Sequence, residues 1–131
     1  MTNPAPTFTK VILETGPDGR SRFRDEVVPL AENKPLLFLT ERMSGGNVQI
    51  RVSPRGYSMD FHCTTSPQWT FVLSGTLEIG LVDGSARQFR AGDHLFAVDT
   101  LAPGATFDPK VHGHNSRQVG DEAVVTALVR G

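Results

Sequence analysis

"FHCTTSPQWTFVLSGTLEIG", residues 61–80, is the stretch whose alternation decides the fold. Pro67 divides it into a polar half and the apolar half "QWTFVLSG", and Gly75 turns the chain into "TLEIGLV", which alternates again. Side chains two apart on an extended strand share a face, so His62 and Thr64 look the same way. Gln68 keeps that parity beyond Pro67. Trp69, Phe71 and Leu73 form an apolar stripe on the face opposite Gln68, suited to a core or a dimer contact. Cys63 has the opposite parity to His62 and reads as a small buried hydrophobe.

The same pattern extends in both directions. Upstream, "FTKVILE" reads as a strand, "TGPDGRSRF" holds a Pro-Asp-Gly turn, and "RFRDEVVPL" is a second strand that Pro29 ends or places at an edge. A short apolar run, "PLLFLT", follows at 35–40. "NVQIRV" then alternates cleanly, with Val48, Ile50 and Val52 on one face and Asn47, Gln49 and Arg51 on the other. Downstream, "DGS" is a hairpin signal before the return strand "ARQFR", and "AGD" turns into "HLFAVD". A long loop, "TLAPGATFDPKV", leads to "HGHNSRQV" and the buried strand "AVVTALV". No window shows capped helical periodicity, so the chain predicts an all-β sandwich or barrel. One domain over residues 1–131 is expected, with residues 1–7 as a flexible or edge-hugging arm.

Composition narrows the function. Thirteen basic and fourteen acidic residues leave a net charge of −1 and no basic run, so neither nucleic acid nor an anionic membrane is an expected partner. No apolar stretch approaches the roughly 20 residues that span a bilayer. "MTNPAPTFTK" lacks the pattern of a secretory leader, and the single cysteine, Cys63, suits a reducing cytoplasm. A soluble protein handling a small-molecule substrate is the expectation.

These residues also resemble the cupin family, small double-stranded β-helix or jelly-roll barrels. The first cupin motif runs G-xxxxx-H-x-H-xxx-E-xxxxxx-G. Gly56, His62 and Gly75 stand at its marks, with Thr64 in place of the second His and Gln68 in place of the Glu. In the second motif Gly92-Asp93 matches the turn and Pro103-Gly104 the loop. His114 follows, with Gln118 where the family has Asn, and then Gly120. The resemblance covers residues 47–129 and implies a divalent metal, iron, zinc, nickel or manganese, held by His62, Gln68 and His114. His112, two residues before His114, would share its face on an extended strand and supply a further imidazole.

Three functional readings follow. The first is a small-molecule enzyme, an isomerase, lyase or dioxygenase, whose metal acts as Lewis acid or oxygen site. The second is metal-free proton transfer, as in an epimerase, cyclase or dehydratase. His62 or His114 is then the base, with Tyr57, Asp60 or Asp99 orienting it or acting as acid. The third is a non-catalytic module that binds a small ligand. Arg51, Arg117 and Tyr57 are candidate anchors for an anionic substrate, Asp99-Thr100 is a pocket candidate, and His94 reads as structural or pocket-lining. A homodimer covering the Trp69-Phe71-Leu73 stripe is expected.

Overall fold

Alternating side chains and turn glycines organise residues 6–131, the part that the computed structural model describes, into twelve strands and no helix. They are β1 (Thr7–Thr15), β2 (Ser21–Pro29), β3 (Ala31–Lys34), β4 (Leu37–Leu39), β5 (Gly46–Ser53) and β6 (Ser58–His62). The remainder are β7 (Gln68–Ser74), β8 (Thr76–Leu81), β9 (Ala86–Arg90), β10 (His94–Ala97), β11 (His114–Val119) and β12 (Val124–Arg130). Of the expected N-terminal arm, residues 1–5 lie outside the described part. Thr7 already belongs to β1, and the Pro6 carbonyl accepts the Leu30 N–H at 3.3 Å. Among the described residues no helix is long and apolar enough to cross a membrane.

The strands pack as two sheets. Six run in the order β2-β1-β10-β7-β12-β5 and four in the order β6-β11-β8-β9, while β3 and β4 form a separate hairpin. This is an all-β jelly-roll barrel. Consecutive strands β7 and β8 sit in different sheets, so the chain must cross between layers at Gly75. Gly75 adopts φ 77°, and a Cβ there would stand 2.9 Å from the Val124 Cα. Only glycine meets both demands.

Between the sheets Val11 and Leu13 of β1 meet Val72, Leu77, Ile79, Phe89, Leu95, Ala97 and Val124. Leu13 and Val124 are completely buried. Period-two alternation delivers each of them to the same layer, and their burial is the main stabilising term of the barrel. Gln118 ties down one end: its Oε1 accepts the Gly56 N–H at 3.1 Å, and its Nε2 donates to the Gly120 carbonyl at 2.7 Å and the Glu122 carbonyl at 2.9 Å.

Strand by strand the alternation locates most elements within two residues, and Pro29 does end an edge strand. The run at 35–40 behaves otherwise. Only Leu37–Leu39 is extended there, paired with the unforeseen strand β3 in an outlying hairpin whose Leu36 is 91% exposed. Edge strand β5 inverts the usual rule: Val48, Ile50 and Val52 are exposed on the outer face, while on the other face Ser53 is buried and Arg51 lines the cavity but stays exposed.

Candidate functional site

His62 closes β6 and His114 opens β11, and the two are direct register partners on adjacent antiparallel strands. Opposed side chains on one face of such a ladder approach closely, and their ring centroids lie 4.6 Å apart at 57°. Gly113 permits this approach. It holds φ 84°, and a Cβ there would stand 2.7 Å from the His62 carbonyl carbon. Local partners fix both rings. His62 Nδ1 lies 2.8 Å from the Asp60 carbonyl oxygen, which can only accept, so Nδ1 carries the proton and Nε2 is left free.

His114 is held by a carboxylate. Its Nδ1 donates to Asp99 Oδ2 at 2.6 Å, which again leaves Nε2 as the free nitrogen. Asp99 follows β10 and has no exposed surface. It accepts further bonds from Ser21 Oγ at 2.7 Å and from Thr64 Oγ1 at 2.6 Å, while the Thr64 N–H reaches its backbone carbonyl at 3.2 Å. Three donors converging on one buried carboxylate fix its orientation, and through it that of the imidazole.

Both rings face a cavity of about 270 Å³ in the barrel. One part of its wall is apolar, made by Leu77, Ile79, Leu95, Ala97 and Leu128, and the rest is mostly polar. Gln68 and Thr70 come from β7, Arg51 and Ser53 from β5, Thr126 and Arg130 from β12, and Tyr57 and Thr64 from loops. The structure therefore brings His62, Gln68, His114 and Tyr57 to one cavity and sets Asp99 directly behind His114.

Other residues fall elsewhere. His112 does not share the face of His114, because Val111–Gly113 form a turn and the strand begins only at His114. His112 Nδ1 instead accepts the Asp108 N–H at 2.9 Å, so its ring braces the long loop away from the cavity lining. Arg117 lies on the outer side of β11 and pairs with Glu78, whose carboxyl it holds below the usual range. Asp60 offers His62 its backbone carbonyl, and its side chain is not part of the cavity wall.

Cys63 is half-buried beside the cavity and not packed in the core. Burial first, and the Asp99 charge second, push its thiol pKa up, the reverse of what a nucleophilic thiolate requires. Thr64 is a carboxylate partner. Ser21, which shares that carboxylate, is separated from Asp99 by 78 residues, and no local signal in "GRSRF" marks it.

A metal of the kind the resemblance implies would need donors beyond the two imidazoles. Among the described residues no group of three His, Cys, Asp or Glu side chains is placed to hold an ion. Asp99 is occupied behind His114, and the Gln68 Oε1 faces the Arg130 guanidinium at 3.5 Å. Two imidazoles and one neutral carboxamide reach the three donors of a catalytic site only by counting Gln68 Oε1, a weak ligand that already lies beside a guanidinium. This is a poor set for a resident divalent ion.

No protein family matches the chain, and no curated protein matches it either. Among solved structures the chain is similar to protein NMB1881 from Neisseria meningitidis, with 11% identity over 73% of this chain and 89% of that one and a TM-score of 0.43. It is also similar to the cupin domain of Schizosaccharomyces pombe Cnp3, with 12% identity over 95% of this chain and 86% of that one and a TM-score of 0.47. By its own strand order and site, the chain is a jelly-roll barrel with a carboxylate-braced histidine pair in a small polar cavity.

Proposed function

We propose that this cupin-like barrel is a small-molecule enzyme that moves a proton without a metal, of the epimerase, cyclase or dehydratase kind. The observation that carries the reading is the Asp99–His114 bond. A buried carboxylate on Nδ1 fixes the tautomer, keeps the Nε2 lone pair aimed at the cavity, and stabilises the imidazolium that forms when Nε2 takes a proton. His62, its Nδ1 bonded to a carbonyl, presents the second Nε2 beside the first, the two rings touching with centroids 4.6 Å apart. One imidazole takes a proton from a substrate carbon or hydroxyl while the other, charged, returns one. Tyr57 is a further donor on the wall. The cavity is at the small end of ligand sites, which fits a small substrate.

The test is solvent exchange. Exhaustively chelated protein would be incubated in D2O with a panel of small hydroxy and carbonyl compounds, and loss of carbon-bound protons followed by NMR. Deuterium entering one position with wild type, and not with His114→Gln, is the expected result. Exchange that appears only when a divalent metal is restored would instead establish the metal-assisted isomerase, lyase or dioxygenase reading. Tight binding without exchange would establish a binding module.

The working unit of this proposal is a cytoplasmic homodimer. Val48, Ile50 and Val52 are 59–67% exposed, and Phe71 and Leu73 continue the same outer face. A contiguous apolar face of this kind marks a contact surface. Trp69 is not part of the open stripe: it is buried, stacked on Phe71 with centroids 5.6 Å apart and capped by Lys10 Nζ at 5.0 Å.

A further inference from the structure

We propose that the cavity is built for an organic anion, a small carboxylate seated by Arg51 and Arg130; the inference rests on the proton-transfer reading and names its substrate class. The whole chain carries a net charge of −1, yet the cavity wall contains two arginines and two histidines and no Asp or Glu. Asp99, the nearest acid, is fully buried behind His114 and committed to three donors. Charge is thus segregated against the average.

Arg22, Arg24, Arg87 and Arg117 each meet a carboxylate on the outer surface. Among the described residues neither Arg51 nor Arg130 has one, as is true also of Arg20, Arg42 and Arg90. Of these only Arg51 and Arg130 line the cavity with the histidines, and Arg130 makes only a long contact to Gln68 Oε1 at 3.5 Å. Arg51 and Arg130 sit on the cavity-facing side of their strands with their side chains still exposed, and each carries fork-shaped donors that match a carboxylate. Their strands are adjacent. Arg51 is the register partner of Thr126 and Arg130 lies four residues further along β12, about 13 Å at the backbone and within reach of two long side chains.

Between them the inward face of β12 carries buried, apolar Leu128, and hydroxyl residues flank it. Ser53, Thr70 and Thr126 are all buried residues that line the cavity, adding hydroxyl donors beside the guanidinium groups. A neutral polyol could bond the wall's hydroxyls but would leave the two guanidinium groups, which only donate, without a matching charge. At about 270 Å³ the cavity lies at the small end of ligand sites, which suits a short-chain acid. An anion held at the arginines sets its neighbouring carbons toward the imidazoles. A proton on carbon next to a carboxylate or ketone would leave to His114 Nε2 and be replaced from His62, so no oxidant, reductant or leaving group is involved.

The experiment measures binding apart from turnover. Succinate and lactate, with succinamide and lactamide as neutral isosteres, would be titrated into the full chain by ligand-observed NMR at low salt. The carboxylates should bind at least about tenfold more tightly than the amides. Arg51→Gln and Arg130→Gln should each weaken carboxylate binding about tenfold with unchanged thermal stability. Arg55→Gln, on the outer surface beside Asp121, should leave it unchanged. Amides binding as well as acids, or both cavity variants binding as wild type, or no acid binding at millimolar concentration, overturns the anion site. Deuterium exchange reports on the other question: arginine-dependent binding without exchange leaves the anion site standing and removes proton transfer, and exchange on neutral compounds alone does the opposite.

Discussion

The two edges of the six-stranded sheet obey opposite rules. At the β2–β1 edge the layout is conventional: Val11 and Leu13 enter the core, and Arg22 and Arg24 grip Glu14 on the outside. Those guanidinium groups, Arg24 foremost, hold the Glu14 carboxyl below the usual range, and the charges protect the edge from pairing with another chain. At the β5 edge the layout is reversed, with Val48, Ile50 and Val52 outside and, on the cavity side, Ser53 buried and Arg51 exposed. A strand facing polar groups inward is stable only where the interior is wet or holds a polar ligand. One facing apolar groups outward calls for a second surface to cover it. The reversal is what makes one end of the barrel a cavity and, by our proposal, its outer side a dimer contact.

The largest expected effect lies inside the reversed half. His114→Gln should lower proton exchange by about 10²–10⁴-fold with the barrel intact. Asp99→Asn should approach that loss, because an amide placed on Nδ1 can donate and so select the wrong tautomer. If Asp99→Asn keeps full exchange and only melts earlier, the carboxylate is structural and the site is not the one described.

The two edges should also respond differently to truncation. Leu13→Ala, in the conventional half, should cost about 2–5 kcal/mol in a urea titration, as cavities in packed cores do. Ile50→Ala should cost no more than about 0.5 kcal/mol within one copy of the chain. Ile50→Glu should instead change the assembly: light scattering should fall from twice the 14.2 kDa chain mass toward a single copy. A wild-type chain of single-copy mass at high concentration would leave the outward apolar face unexplained and sink the dimer.

A smaller effect tests the support of Asp99. Thr64→Val removes one of its three donors and should cost about 1–3 kcal/mol, while Ser21→Ala should give a similar loss. Thr64→His carries the metal question: if position 64 looks toward the two imidazoles, zinc affinity should rise at least about tenfold over wild type. No rise would show that side chains at 64 turn to Asp99 only.

The smallest effect concerns pH and the conventional half. His94 Nε2 accepts the Val11 N–H at 3.1 Å, and burial holds its pKa below the ordinary 6.5. The unfolded chain therefore binds the proton first, so this contribution is complete above about pH 6.5 and is lost as pH falls through the lower folded value. Urea midpoints should decline between pH 7.5 and 5.5, with a slope of no more than about 1.4 kcal/mol per pH unit for one proton. His94→Gln should flatten the decline. An unchanged slope would assign it to other groups.

Much of this molecule was legible before any tertiary structure. Alternation over 61–80 and in "NVQIRV" locates strands, and turn glycines such as Gly75 locate the crossings, because strand period and positive φ are local properties. His62 and Gln68 were legible as a pair by parity, His114 joined them only through the motif resemblance, and Asp99 was a pocket candidate by its place at the start of the long loop. His112 was not, since a turn at Val111–Gly113 breaks the parity that spacing assumes. Nor was the true role of Thr64, which depends on where Asp99 arrives from 35 residues away. The alternation of β5 fixed which residues share a face, and only the packing of two sheets decided which face is inside. A local pattern sets relative directions along one strand; absolute directions, and the partners met there, are set by the strands that cover it.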